Sequence, residues 1–153
     1  MALEQFLKDE LIKINLKCDN QDQLFEALYS EALNHGYVKE PFLKKIKERE
    51  AEFPTGLSMN AYSVAIPHTD PEYVLEQFIA VVTLEKPVPF RRMDDKSKLI
   101  NVNVVLMLGF KEPHNQLKVL QEIMRLIQDR STIERILAAK TSEEIREVFG
   151  EVK

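Results

Sequence analysis

Apolar and polar residues alternate through LIKINLKC, Leu11 to Cys18, which is the period of a strand with one buried face. The preceding LEQFLKDE is suited to a short helix. Beyond the strand the period changes, and Leu24, Phe25, Leu28, Ala32 and Leu33 recur at helical spacing. Asn20 and Gln23 form a capping pair at the start of that helix, and Gly36 stops it. Pro41 suits the first turn of a second helix, in which Phe42, Leu43 and Ile46 make one apolar face on the way to Arg49. Pro54 and Gly56 then break it.

The next segment carries YSVAIP, a short strand, followed by DPEYV, a turn begun by Asp-Pro. QFIAVVTL and INVNVVLML are β-branched and almost continuously apolar, as strands covered on both faces are. They belong in the middle of a sheet. After Pro113 the residues Leu117, Leu120, Ile123, Met124 and Ile127 repeat at three and four, predicting a regular helix. Two shorter helices follow, one holding Ile133, Ile136 and Leu137, the other opened by a Thr141/Glu144 capping box and burying Ile145, Val148 and Phe149. There is no internal repeat, low-complexity tract or long linker. The pattern predicts an α/β fold: one domain over residues 1–153, with a single mixed, mostly parallel β-sheet and helices on both faces.

Composition narrows the class. With 44% hydrophobic and 30% charged residues in 153, the chain reads as a soluble globular protein. No apolar run approaches the roughly 20 residues that span a bilayer, and MALEQFLKDE lacks the basic start and apolar block of a signal peptide. A cytoplasmic location is expected. The single cysteine, Cys18, excludes an internal disulfide and agrees with a reducing compartment. A net charge of -4 offers no electrostatic basis for nucleic-acid binding. The most basic stretches, KEPFLKKIKERE and FRRMDDKSK, read as solvated faces.

Few residues can carry chemistry. Of the three histidines, His35 lies in NHG at a predicted helix end, where an imidazolium complements the negative terminus. No pair has the spacing of a zinc helix. Cys18 is followed by DNQD, whose carboxylates disfavour a thiolate. GxxxxGK[ST] is missing, and four glycines leave little material for a phosphate cradle. His68 remains, in VAIPHTD, just past a buried strand at the rim of the sheet, on a support stiffened by Pro67. A neutral imidazole there can attack phosphorus if its second nitrogen is held by a hydrogen bond. The residues by themselves leave a second reading equally open, a turn histidine at a strand end.

YSVAIPHTD resembles the active-site signature of the mannitol/fructose-type enzyme IIA of the bacterial sugar phosphotransferase system, and EREAEFPTG, residues 48–56, is similar to the stretch that precedes it. The wording REAEFPTG, the Ala-Ile-Pro-His run and a QLK.L helix start resemble the galactitol-specific branch. The likeness covers essentially the whole chain, in order. It implies a three-layer sandwich and a transient phosphohistidine at His68, on Nε2. The phosphoryl group would come from the phosphocarrier HPr and pass to a cysteine of enzyme IIB, which serves the membrane component, enzyme IIC. No metal or organic cofactor is implied. Arg49 takes the place of the family's arginine, a permanently charged fork for the phosphoryl oxygens. Without the motif it would read as a surface arginine paired with Glu48 or Glu50.

The sequence departs from the pattern at one point. Many members have a second histidine just before the apolar residue that opens the long helix; here that position is Gln116, and His114 falls two residues earlier. Gln116 is the candidate oxygen ligand, with His114 a nearby substitute or a capping residue after Pro113. Asp70 either orients His68 or starts the DP turn. Phe53, Leu57 and Met59 either ring the site or pack in the core. The alternative functional reading is a regulatory nitrogen-type enzyme IIA, against which EFPTG argues. A IIB component built on Cys18 is the third, and the acids of CDNQD oppose a phosphocysteine cradle there.

Overall fold

The structure is a computed structural model that describes residues 3–59, 62–112 and 116–151. A 3-10 turn at Leu3–Phe6 leads into β1 (Leu7–Leu16), followed by α1 (Gln21–Asn34), α2 (Phe42–Glu52), β2 (Gly56–Ser58) and β3 (Ser63–Ala65). A second 3-10 turn, Pro71–Tyr73, precedes the two long strands β4 (Phe78–Arg91) and β5 (Leu99–Gly109). Three helices close the chain: α3 (Gln116–Gln128), α4 (Arg130–Ala138) and α5 (Ser142–Glu151). Among the described residues, no helix is long and apolar enough to cross a membrane.

The strands form one mixed five-stranded sheet in the order β1-β4-β5-β3-β2. β1 runs parallel to β4 and β3 parallel to β5, while β4/β5 and β2/β3 are antiparallel. The apolar runs do lie at the centre, covered on both faces, but they pair with each other as an antiparallel hairpin. A continuous apolar run reports burial, and burial does not set strand direction.

Period-two alternation divides these strands between two cores. Ile79, Val81, Val104, Leu106 and Leu108 join Val64 and Ile66 under α3, α4 and α5. Phe78, Ala80, Val82, Val105 and Met107 join Ala65 under α1 and α2. Helices therefore sandwich the sheet.

Several boundaries differ from the sequence reading. β1 begins at Leu7, before the alternating stretch. β4 continues to Arg91 through Pro87 and Pro89. Its pairing with β1 ends at Leu84, so the prolines sit where that edge has no ladder bond to lose. FRRMDDKSK is thus partly strand and partly the hairpin tip. β2 spans only three residues, too short for a period. Leu33 and Leu117, placed on buried faces by spacing, are exposed at 39% and 67%; in α3 the buried stripe is Val119, Ile123, Leu126 and Ile127. The caps hold as read: Asn20 Oδ1 accepts from the Gln23 amide at 2.9 Å, and Thr141 Oγ1 from the Glu144 amide at 3.1 Å. Gly36 has a φ of 76°, the left-handed conformation that glycine adopts after a helix.

Candidate active site

His68 sits just beyond the end of β3. The Leu108 amide donates to the Pro67 carbonyl at 2.9 Å and the Ile66 amide to the Thr55 carbonyl at 3.3 Å. His68 and Leu108 themselves form an isolated parallel bridge. The imidazole is thereby carried at the carboxyl end of two parallel strands, β3 and β5, the side of an α/β sheet where ligands are met. Ile66 and Pro67 are buried and His68 is half-buried.

The ring has one fixed nitrogen. Nδ1 lies 2.8 Å from the Ile66 carbonyl oxygen; a carbonyl can only accept, so Nδ1 carries the hydrogen and Nε2 the lone pair. The edge-on ring of Phe110, 5.6 Å between centroids at 77°, holds the imidazole plane. Burial pushes the histidine below its ordinary pKa, and the Arg49 charge acts the same way, against the opposing pull of the Ile66 hydrogen bond and the Asp70 carboxylate. The neutral, nucleophilic form is the one favoured.

Arg49 approaches from the last turn of α2. Its guanidinium carbon lies 4.9 Å from the centroid of the Phe53 ring, a cation-π seat that leaves the fork's edge available. Nη1 is 3.7 Å from Asp70 Oδ1. The surface pairings weighed for Arg49 are not formed: Glu48 faces Lys45 at 3.9 Å, and Glu50 is turned inward. Asp70 meets the arginine, and the Ile66 carbonyl holds the Nδ1 of His68.

Both residues line one open cleft of about 440 Å³, with Phe53, Pro54, Thr55, Ile66, Met93, Leu120 and Met124. Phe53 is 55% exposed at its mouth. Leu57 and Met59 pack against the core instead. Met93 arrives from the β4–β5 hairpin because its amide donates to the Gly56 carbonyl at 2.8 Å. Gly56 is required there, since a Cβ would stand 2.6 Å from the Arg91 carbonyl oxygen.

Gln116 opens α3, one turn before Leu120 on the same face. Leu120 and Met124 form that side of the cleft wall. His114 lies outside the described residues. His35 binds the Glu31 carbonyl and stacks on Tyr37, and Cys18 is buried, its thiol pushed up by burial and then by Asp19. Among the described residues no cluster of three or more His, Cys, Asp or Glu is placed to hold a metal ion.

The sequence reading missed four contributors: the Ile66 carbonyl, Phe110, Met93, and the buried carboxylate of Glu50. Glu50 had a signal. Phe42, Ile46 and Glu50 are spaced by four, and all three are buried, so the acid continues the apolar stripe.

The family described as "Phosphoenolpyruvate-dependent sugar phosphotransferase system, EIIA 2" matches residues 5–152. The chain belongs to this family. It is 25% identical over 130 residues to the galactitol-specific EIIA component of Escherichia coli strain K12, covering 85% of each chain. To the mannitol-specific phosphotransferase enzyme IIA component of Bacillus subtilis strain 168 it is 26% identical over 151 residues, 97% of this chain and 99% of that one. A crystal structure of a PTS IIA (PtxA) from Streptococcus mutans superposes with a TM-score of 0.81 at 26% identity, covering 100% and 96% of the two chains. Membership makes this EIIA chain a component of sugar phosphotransferase chemistry.

Proposed function

We propose that His68 is the transient phosphoacceptor of this EIIA chain, taking the phosphoryl group from phosphohistidine on HPr and passing it to a cysteine of enzyme IIB. The observation that carries the reading is the hydrogen bond from Nδ1 to the Ile66 carbonyl at 2.8 Å, which leaves Nε2 as the nucleophile. Its lone pair forms the new P–N bond as the donor's P–N bond breaks and the donor nitrogen keeps the electron pair. The Nδ1 hydrogen stays in place, and the Ile66 carbonyl stabilises the positive charge that the ring acquires. Arg49 supplies paired donors for the equatorial oxygens, and little else is asked of the protein. In the onward step a thiolate sulfur replaces Nε2 at phosphorus and His68 regains its lone pair.

Gln116 is a further candidate donor to a phosphoryl oxygen from the start of α3, and His114 the substitute two residues earlier. HPr and enzyme IIB reach the same imidazole in turn, so their docking surfaces overlap around the cleft, and each encounter is brief and modest in area. The proposed cargo is galactitol, on the wording of residues 49–56 and the glutamine at 116.

Reconstitution with labelled phosphoenolpyruvate, enzyme I and HPr tests the site. Wild type should gain an acid-labile phosphate and His68→Ala none; label retained on the alanine variant sinks the assignment. Transfer onward to a galactitol-type IIB should outpace transfer to a mannitol-type IIB, and the reverse order would remove the proposed cargo.

A further inference from the structure

Glu50 is adjacent to Arg49 in the chain, yet only 4% exposed. Its carboxyl group takes both polar groups of one residue: Oε2 accepts from the Thr55 amide at 2.7 Å, and Oε1 pairs with Thr55 Oγ1 at 2.8 Å. This clamp folds Phe53-Pro54-Thr55 back against the end of α2. The Thr55 carbonyl in turn accepts from the Ile66 amide at 3.3 Å, and the Ile66 carbonyl accepts from Nδ1 of His68 at 2.8 Å. One unbroken series of hydrogen bonds thus joins the helix that carries Arg49 to the ring of His68.

We propose that Glu50 is a positioning residue for phosphoryl transfer: by clamping Thr55 it sets Ile66, and through the Ile66 carbonyl it keeps the His68 hydrogen on Nδ1 and Nε2 turned to the cleft. The proposal rests on the reading of His68 as the phosphoacceptor. The carboxyl group is buried, does not line the cleft and is taken up by Thr55, so it acts through Thr55 and not on the phosphoryl group. The successive bonds belong to different peptide units, so what they transmit is position. Reach matters here and charge does not. Burial raises the Glu50 pKa to about 7, against the lowering effect of the Thr55 amide and hydroxyl, both of which donate to the carboxyl group. Glutamine accepts from the amide in the same way through its carbonyl, and its NH2 reaches Oγ1, a hydroxyl that can also accept.

The test is a pair of variants with opposite losses. Glu50→Gln keeps the reach and removes the charge; Glu50→Asp keeps the charge and shortens the reach by one carbon. Imidazole ¹⁵N spectra of the unphosphorylated protein should show hydrogen on Nδ1 in wild type and Glu50→Gln, and a mixture of Nδ1–H and Nε2–H tautomers in Glu50→Asp. Transfer from phospho-HPr at saturation should fall about 10- to 100-fold in Glu50→Asp, with KM nearly unchanged and Glu50→Gln within about threefold of wild type. A folded Glu50→Asp with the wild-type tautomer and rate overturns the proposal, as does a Glu50→Gln no better than Glu50→Asp. The spectra need no phosphate, so label retained on His68→Ala would end the phosphoacceptor reading while the tautomer comparison still stood.

Discussion

The guanidinium of Arg49 stands 3.7 Å from the carboxylate of Asp70, near enough to attract and too far for a good hydrogen bond. Both side chains are partly exposed, at 40% and 61%, so the pair contributes no more than about 1 kcal/mol. A phosphoryl group on His68 would draw the arginine away from this partner. Asp70→Asn should therefore raise the phosphorylated fraction at equilibrium with phospho-HPr by about 2- to 5-fold at low salt, with the gain shrinking at high salt. Intact-protein mass measurement reads it; an unchanged fraction means that Asp70 does not compete.

Arg49→Lys keeps the charge and gives up the planar fork. Transfer should slow by roughly 10- to 100-fold, with an unchanged circular dichroism spectrum and midpoint of thermal unfolding. Rates equal to wild type would remove Arg49 from the mechanism.

Phe53 is 55% exposed yet lies under the Arg49 guanidinium at the cleft mouth. Phe53→Ser should leave stability within about 0.5 kcal/mol and weaken apparent affinity for the partner proteins about 5- to 30-fold. Titration of KM for phospho-HPr checks this, and an unaltered KM would place the docking surface elsewhere.

Glu50 also predicts a pH signature. Its carboxyl pKa is raised to about 7 in the fold from a reference value of 4.5, by burial first. A raised folded value means that the native state holds the proton more tightly than the unfolded chain. The corresponding stability is full below pH 4.5 and is lost as pH rises through about 7. The loss is at most roughly 3 kcal/mol. Glu50→Gln lacks this dependence, so the difference in unfolding free energy between wild type and Glu50→Gln should drift in favour of the variant as pH increases over that interval. A constant difference would mean an ordinary carboxylate.

Gly109 leaves no room for a side chain, because a Cβ would overlap the Phe78 ring. Gly109→Ala should destabilise the fold by about 1–3 kcal/mol through overpacking. It should also broaden the His68 ring resonances, since the neighbouring Phe110 packs on that ring. Denaturant unfolding and proton spectra measure both effects. Wild-type stability would show that Phe78 gives way at no cost.

Much of the fold was legible. Helical spacing located α1, α2 and the C-terminal helices, and apolar runs located the central strands, because burial writes a period into the chain wherever an element is long enough to repeat. β2, at three residues, cannot repeat. The β4 extension through Pro87 and Pro89 was hidden because its signal, alternation of exposed residues with Val88 and Phe90, runs against the usual meaning of proline. In the site, His68 and Arg49 were readable from AIPH and REAEFPTG. Glu50 passed as a surface partner, since an acid in a charged helix gives no sign of its burial until the apolar stripe is extended to it.

By itself the sequence determined the layered α/β class, for which local spacing suffices, and through its likeness to enzyme IIA it singled out His68 and Arg49 as the candidate pair. Only the tertiary structure decided which nitrogen of His68 is free, which acid faces Arg49, and that Thr55 links α2 to Ile66. The contacts of Arg49 with Asp70 and of Thr55 with Ile66 join separate segments. The bond from His68 to Ile66, two residues away, forms on a backbone whose course the Leu108 and Thr55 bonds fix. Hydrogen-bond geometry exists only once the groups lie within about 3 Å.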